Sequence, residues 1–431
     1  MQRVSTEEEF KKLYFDRQKA SVGEGTVSKI REIRILVLNV RATGAEICKN
    51  LCLSSPLNLT IIDDSKITEK DLKFNYFVNK DDIGKSRSVN MKEKLSRLNK
   101  FVKIKTTTFE NLTPEYIKKF NIFFATDFYD QKLLESWNSE CRKVGIGFIS
   151  TGCIGTFCHL FVDFCDHKVI EPIRQDKIRQ FFIEDISNSS PGVVTVSKSN
   201  PLYLKDGDFV SIMGVKGMED VNGTEVRPVK VIDEYTFTIE NTKAYGKYSG
   251  GGYVNHEMVP YSKTFSSFSR SLVEPKLVDI PPSKLSQVEM HVTLMLFYDW
   301  RAYLENSPHT LEGKTDEELE QIAMEICLEN PTIEIIQKNH KLDISKVTSL
   351  LVSFIKFGEF QLVPVAHLIA NLASFQFVVF NGKFSPIYQE VYINFDEFNS
   401  NFSDFLGTRD IQTVSQYFEL GHEAMDFRNM K

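Results

Sequence analysis

The stretch that decides the fold begins Ile33-Arg34-Ile35-Leu36-Val37-Leu38 and turns through Asn39-Val40-Arg41-Ala42-Thr43. It continues as Gly44-Ala45-Glu46-Ile47-Cys48-Lys49-Asn50-Leu51 and, after Ser54-Ser55-Pro56, ends on Leu59-Thr60-Ile61-Ile62-Asp63. The first run has the length and composition of a buried strand, the second reads as a helix, and the third is again a strand. Strand, helix and parallel strand within ~30 residues form the βαβ unit that opens doubly wound nucleotide-binding sheets. Outward from it, residues 7–30 read as helical. Strands are predicted at 102–107 and 121–126, then a helix through Trp137, then strands at 146–150 and 156–164. One open α/β sheet accounts for all of them.

Beyond about residue 170 the texture changes. From Gly192 to Tyr261 short β-branched and aromatic runs alternate with turn signals: Asp206-Gly207-Asp208, Gly217, Asn222-Gly223 and Gly250-Gly251-Gly252. That pattern predicts a small β barrel or sandwich. From Gln287 to Phe380 the period turns helical, and Thr315 with Glu318 three residues on reads as a capping box. A strand at 387–395 is placed to rejoin the first sheet. The fold class is therefore α/β: a doubly wound, mostly parallel Rossmann-like sheet, interrupted by a β-barrel insert and a helical bundle.

Composition limits the function. The 431 residues are 42% hydrophobic and 26% charged, which excludes a disordered or low-complexity chain. A net charge of −6 with no Lys/Arg run argues against nucleic acid. The acidic start lacks the apolar core of a signal peptide, and residues 363–380 are short and polar for a membrane span. Seven cysteines, an odd number spread over a long chain, fit a reducing compartment, cytoplasmic or nuclear.

A phosphate loop after the first strand needs glycine for the tight turn, for close approach of phosphate and for helix–strand packing. In that frame, Asn39-Val40-Arg41-Ala42-Thr43-Gly44, only Gly44 remains. Arg41 either meets a phosphate itself or marks a closed site; loss of the two ligand-touching glycines favours closure. Asp63 could hold a ribose but, with the loop altered, reads as a plain strand-end carboxylate. The cysteines lack the exposed, electropositive setting of a reactive thiol. Cys153 and Cys158 have zinc-like spacing, with Cys165, His159 and His167 nearby, but neighbours on one strand alternate faces, which argues against a metal.

Several short motifs carry a resemblance. Residues 35–51, with Arg41 in the loop and Glu46-Ile47-Cys48-Lys49-Asn50 in the helix, resemble the first, non-catalytic adenylation half of ubiquitin-activating enzymes. So do Tyr14-Phe15-Asp16-Arg17-Gln18 upstream and Asp71-Leu72 with Asp82-Ile83-Gly84-Lys85-Ser86-Arg87 downstream. The β insert resembles the family's first cysteine half-domain, the helices its four-helix bundle, and Ser385-Pro386-Ile387-Tyr388-Gln389 its return strand. The resemblance covers about residues 10 to 400 in order.

It implies residues 1–170 as the first part of an inactive adenylation domain, 171–262 as the β insert, 263–363 as return segment and bundle, 364–400 as the rest of the domain, and 401–431 as a tail. It implies no catalytic residue or bound metal in this chain. ATP and magnesium would bind in a partnering catalytic half, which Arg17 would reach across the interface. The degenerate nucleotide loop would comprise Asn39, Arg41, Gly44, Asp63, Phe74 and Lys85, with Phe74 where the active half carries arginine. The partners implied are that catalytic half and ubiquitin or a ubiquitin-like protein. The chain would be either one subunit of a split enzyme or part of a longer one. A stand-alone pseudo-enzyme that scaffolds a ubiquitin-like protein is the alternative.

Overall fold

In the computed structural model, the described residues are 7–169, 180–199, 201–202, 204–257, 259–277, 286–306, 315–357 and 360–395; the expected tail at 401–431 lies outside them. Two units emerge, Met1–Asp166 with Thr264–Asn381 and Pro386–Lys431, and His167–Lys263 with Gly382–Ser385.

The first unit is built on strands β1 (Arg34–Leu38), β2 (Asn58–Ile62), β3 (Lys103–Thr107), β4 (Ile122–Thr126), β5 (Gly147–Ile154) and β6 (Phe157–Asp163). Parallel pairing runs β3-β2-β1-β4-β5, with Leu36 opposite both Thr60 and Phe123. Antiparallel β6 follows, and the late strand Glu390–Asn394 pairs antiparallel outside it, rejoining the sheet as the sequence predicts. Every residue of β4 is buried, as expected of a central parallel strand covered on both faces. The helical start is two helices, α1 (Glu7–Val22) and α2 (Glu24–Ile30), separated at Gly23, whose φ of 87° ends the first.

Helices α3 (Ala42–Ser54), α4 (Arg87–Leu98), α5 (Pro114–Ile117), α6 (Gln131–Lys143) and α7 (Phe268–Val273) precede the bundle of α8 (Gln287–Asn306), α9 (Asp316–Glu329), α10 (Pro331–Asn339) and α11 (Ile344–Phe357). Last comes α12 (Val363–Val379). The predicted capping box is present: Thr315 Oγ1 accepts from the Glu318 amide and Glu318 Oε2 from the Thr315 amide. One sheet face (Leu36, Phe123, Phe148, Phe157) shares a core with Leu296 and Phe297 of α8 and Leu351 and Phe354 of α11. Helices α3 and α12 pack on each other, and α12 on β5 and β6.

A buried polar contact fastens α8 to the late strand. His291 Nδ1 lies 3.2 Å from Glu390 Oε2 and 2.8 Å from Tyr392 Oη, while Nε2 meets the Leu272 carbonyl at 3.1 Å. Burial works against the imidazolium, but the Glu390 carboxylate and the Leu272 carbonyl outweigh it, and the His291 pKa ends raised. An imidazole whose folded pKa is raised gives stability that is complete below its unfolded value of ~6.5 and lost as pH rises through the folded value. The thermal midpoint should therefore fall as pH is raised from 6.5 towards 9, and His291→Asn should flatten that slope. An unchanged slope in the variant would remove His291 as its source.

The second unit contains β7 (Asp166–Val169), β8 (Gln180–Ile186), β9 (Gly192–Val196), β10 (Phe209–Met213), β11 (Gly223–Pro228), β12 (Lys230–Val231), β13 (Thr236–Ile239), β14 (Tyr253–Glu257) and β15 (Tyr261–Thr264). Seven of these make an antiparallel, nearly closed barrel in the order β11-β10-β14-β8-β9-β13-β12. Alternate residues point inward, so Phe181, Val194, Val210, Ile212, Phe237 and Val254 fill its core. Gly217 (φ 81°) passes so close to the Lys247 carbonyl that a Cβ would lie 2.3 Å from it, which excludes any larger residue.

Candidate functional site

The turn between β1 and α3 lies at the carboxyl end of the parallel strands, where doubly wound sheets bind ligands. Asn39 adopts φ 71°, a conformation normally left to glycine. Its side chain stabilises the turn: Oδ1 accepts from the Arg41 amide at 3.0 Å and Nδ2 donates to Asp127 Oδ2. Gly44 is required sterically, since a Cβ there would lie 2.2 Å from the Asn39 carbonyl and 2.4 Å from Thr126 Oγ1.

Three backbone donors of this loop are engaged by side chains of the protein. The Val40 amide donates to Asp63 Oδ2 (3.0 Å), the Arg41 amide to Asn39, and the Thr43 amide to Gln361 Oε1 (3.3 Å). The Arg41 guanidinium pairs with Asp127 Oδ2 at 3.0 Å and lies over the Phe74 ring, 5.3 Å from its centroid. Gln361 Nε2 also reaches Asp127 Oδ1, so Asp127 gathers Asn39, Arg41 and Gln361 on one carboxylate. The amides of Val40, Arg41 and Thr43 and the Arg41 guanidinium are thus all paired within the protein.

Asp63 stands at the end of β2 as expected, but it is not a plain carboxylate there: it is part of a buried ion pair. It is buried and takes Nη1 of Arg87 at 3.0 Å, while Nη2 of the same guanidinium meets Asp71 Oδ1 at 3.3 Å. Two chain turns are thereby tied to α4. Phe74 is buried, and Asn75 Nδ2 donates to the Val40 carbonyl. Lys85 is elsewhere: it is largely exposed and pairs with Asp82 Oδ1 at 2.9 Å. Burial opposes the Asp82 carboxylate, but bonds from Lys85, Lys94 and the Asn79 amide outweigh it, lowering its pKa to about 2. Of the sequence-predicted loop residues, the structure brings together Asn39, Arg41, Gly44, Asp63 and Phe74, and leaves Lys85 outside. Sequence reasoning missed Asp127 and Gln361, which no local motif marks; Arg87 was visible only as the last letter of a motif.

Arg17 lies on α1. Phe15 anchors that helix, 2% exposed, with the Arg31 guanidinium 4.7 Å from its ring centroid. Tyr14 packs edge-on to Phe101 at 5.2 Å, and Gln18 Nε2 donates to the Ser54 carbonyl at the end of α3. Between these anchors Arg17 itself is exposed.

The thiols are poor nucleophiles. Six of the seven cysteines are buried and Cys165 is partly so. Burial pushes Cys52 and Cys153 up to about 12 and Cys165 to about 11, and raises Cys48, Cys141, Cys158 and Cys327 as well. A thiol with so high a pKa is almost wholly protonated at neutral pH. Cys153 and Cys158 face each other across β5 and β6. His159 lies on the opposite face, where burial drops its pKa to about 3. Among the described residues, no group of three or more His, Cys, Asp or Glu could hold a metal ion. None of the described helices is long and apolar enough to cross a membrane.

Residues 189–257 match the family described as the ubiquitin-activating enzyme E1 FCCH domain. Ubiquitin-like modifier-activating enzyme 1 of Oryctolagus cuniculus is 27% identical over 384 residues, 88% of this chain and 35% of that protein. Ubiquitin-activating enzyme E1 1 of Triticum aestivum is 29% identical over 387 residues, 88% of this chain and 36% of that one. Among solved structures, Escherichia coli MccB with succinimide aligns at 16% identity and a TM-score of 0.31, over 34% of this chain and 47% of the other. The chain spans about 35% of the length of the curated relatives it matches. Over most of its own length, the chain is a homologue of the ubiquitin-activating enzymes E1, and it carries their FCCH domain.

Proposed function

We propose that this chain is the non-catalytic adenylation half of a ubiquitin-like-protein-activating enzyme. It pairs with a catalytic half that binds ATP and magnesium, adenylates the carboxyl terminus of ubiquitin or a ubiquitin-like protein, and then takes it as a thioester. The observation that carries the reading is the loop after β1, whose Val40, Arg41 and Thr43 amides are spent on Asp63, Asn39 and Gln361. With Arg41 held on Asp127, the loop does not fit a triphosphate. The chain's own contribution is positional: it supplies a docking surface and presents exposed Arg17, whose charge would reach the departing pyrophosphate from outside the catalytic half. The reading places the chain in the cytoplasm or nucleus, where its seven free thiols stay reduced.

The test is reconstitution. The chain is mixed with ATP, magnesium and ubiquitin, with and without a separately produced catalytic adenylation half, and pyrophosphate exchange and thioester are followed. Activity that requires both chains supports the proposal. Stable pairing without any gain in adenylation favours the scaffold alternative, and a thioester formed on this chain alone refutes both.

A further inference from the structure

The stretch Lys92-Glu93-Lys94-Leu95-Ser96-Arg97-Leu98-Asn99-Lys100-Phe101-Val102-Lys103-Ile104-Lys105 carries six cations against one carboxylate, in a chain whose net charge is −6. It runs from the second half of α4 into β3, and α4 packs on β3. Two of the cations are engaged: Lys94 pairs with Asp82, and Lys100 lies over the Phe101 ring. Lys92, Arg97, Lys103 and Lys105 are exposed, and none of them forms an ion pair among the described residues.

Strand β3 is also the outer strand of its sheet, and among the described residues it pairs with β2 alone. The Lys103 amide donates to the Leu57 carbonyl at 3.4 Å, so Lys103 and Lys105 turn their peptide groups inward to β2. The peptide groups of Ile104 and Thr106 then point out of the sheet, each offering one donor and one acceptor. Side chains alternate along the same strand. Lys103 and Lys105 stand exposed on one face, ~6.6 Å apart, while Ile104 on the other face is 8% exposed.

From this coincidence of open backbone and unpaired cations we infer that β3 accepts an acidic, extended segment of a partner protein as an added strand. The inference stands apart from the proposed function. A phosphate polymer could answer the lysines but not the outward carbonyls of Ile104 and Thr106, which need donors; a peptide backbone supplies both donors and acceptors. An added strand sets every second side chain on the face of Lys103 and Lys105, so the pattern recognised is Asp or Glu at alternate positions. The residue between them falls on the face of Ile104 and is apolar. A second copy of this chain is disfavoured as the occupant, because β3 against β3 would bring lysine against lysine. The charges that admit an acidic strand thus also keep the edge from pairing with itself.

The test titrates the full chain with a fluorescein-labelled peptide of alternating Glu and Val, reading binding by anisotropy and the β3 amides by hydrogen exchange. The peptide should slow exchange at Ile104 and Thr106. Lys103→Glu with Lys105→Glu should weaken binding on the order of tenfold, since two attractive cross-strand pairs become repulsive. Lys105→Gln should weaken it less, in the same direction; both positions are exposed, where such changes cost little stability. N-methylation of the alternate peptide amides that face β3 should abolish binding without altering charge. Lys338→Glu, on the exposed side of α10, should leave binding unchanged. Binding that survives N-methylation, with no protection of Ile104 and Thr106, makes the stretch a diffuse anion surface and overturns the inference. Lysine-dependent binding of inorganic polyphosphate that exceeds binding of the peptide overturns it in favour of a phosphate surface. No binding of the peptide leaves the lysines as guards of an edge and overturns it too. None of these readouts involves adenylation, so each failure leaves the proposed function standing.

Discussion

Replacing Arg17 by alanine should cut pyrophosphate exchange by the reconstituted assembly on the order of a thousandfold, while leaving assembly and folding intact. The magnitude is that of arginines supplied across an interface to a phosphoryl group, where one cation offsets charge that develops only as the leaving group departs. The geometry separates this role from a structural one. Arg17 is exposed on α1, and the docking of that helix belongs to Phe15, Tyr14 and Gln18 on either side of it. Removing an exposed side chain away from such anchors shifts stability by about 0.5 kcal/mol or less. The loss should appear mainly in kcat, because charge stabilisation in the transition state is removed rather than ground-state binding. Arg17→Lys should recover part of the rate. Gln18→Ala, which loosens the helix instead, should weaken stability more than Arg17→Ala does. An Arg17→Ala assembly that exchanges pyrophosphate at the unaltered rate would make Arg17 an ordinary solvated arginine.

Much of the scaffold was legible because its signals are local. The apolar run at 33–38, the alternation from Gly192 onward and the box of Thr315 with Glu318 each specify an element within a few residues. The altered loop was legible too, since Gly44 alone survived and its steric reason lies beside it at Asn39 and Thr126. What the loop does with its donors was not legible. Arg41 could have met a phosphate; it is held by Asp127, 86 positions away, and the Thr43 amide by Gln361, 318 positions away. Such partners are set by tertiary packing, and no spacing rule brings them to one point. Asp63 was misjudged for the same reason: its partner Arg87 stands 24 residues on, after an intervening turn.

Substituting Arg87 by methionine should destabilise the first unit by about 3–5 kcal/mol, the cost of removing one partner from a buried ion pair. The guanidinium is 9% exposed and serves two carboxylates that are 3% and 2% exposed. Their other partners are the amides of Val40 and Ser65 for Asp63, and the amide and hydroxyl of Thr68 for Asp71. Those neutral donors would remain, but no cation would, and two like charges would face each other in a site that water reaches poorly. Arg87 Nε finds no hydrogen-bond partner among the described residues, so the group is held for its two Nη contacts. Because the chain has two units, a single melting curve would blend them. Hydrogen exchange at the Val40 amide is the sharper measure, since its acceptor is Asp63 itself. Exchange there should accelerate in Arg87→Met. Adding Asp63→Asn and Asp71→Asn should restore most of the loss, because the amides keep the shape and remove the unpaired charge. A loss below about 1 kcal/mol in the single variant would mean that water screens the cluster as it does a surface pair. Absence of recovery in the triple variant would mean that the guanidinium acts by packing rather than by charge.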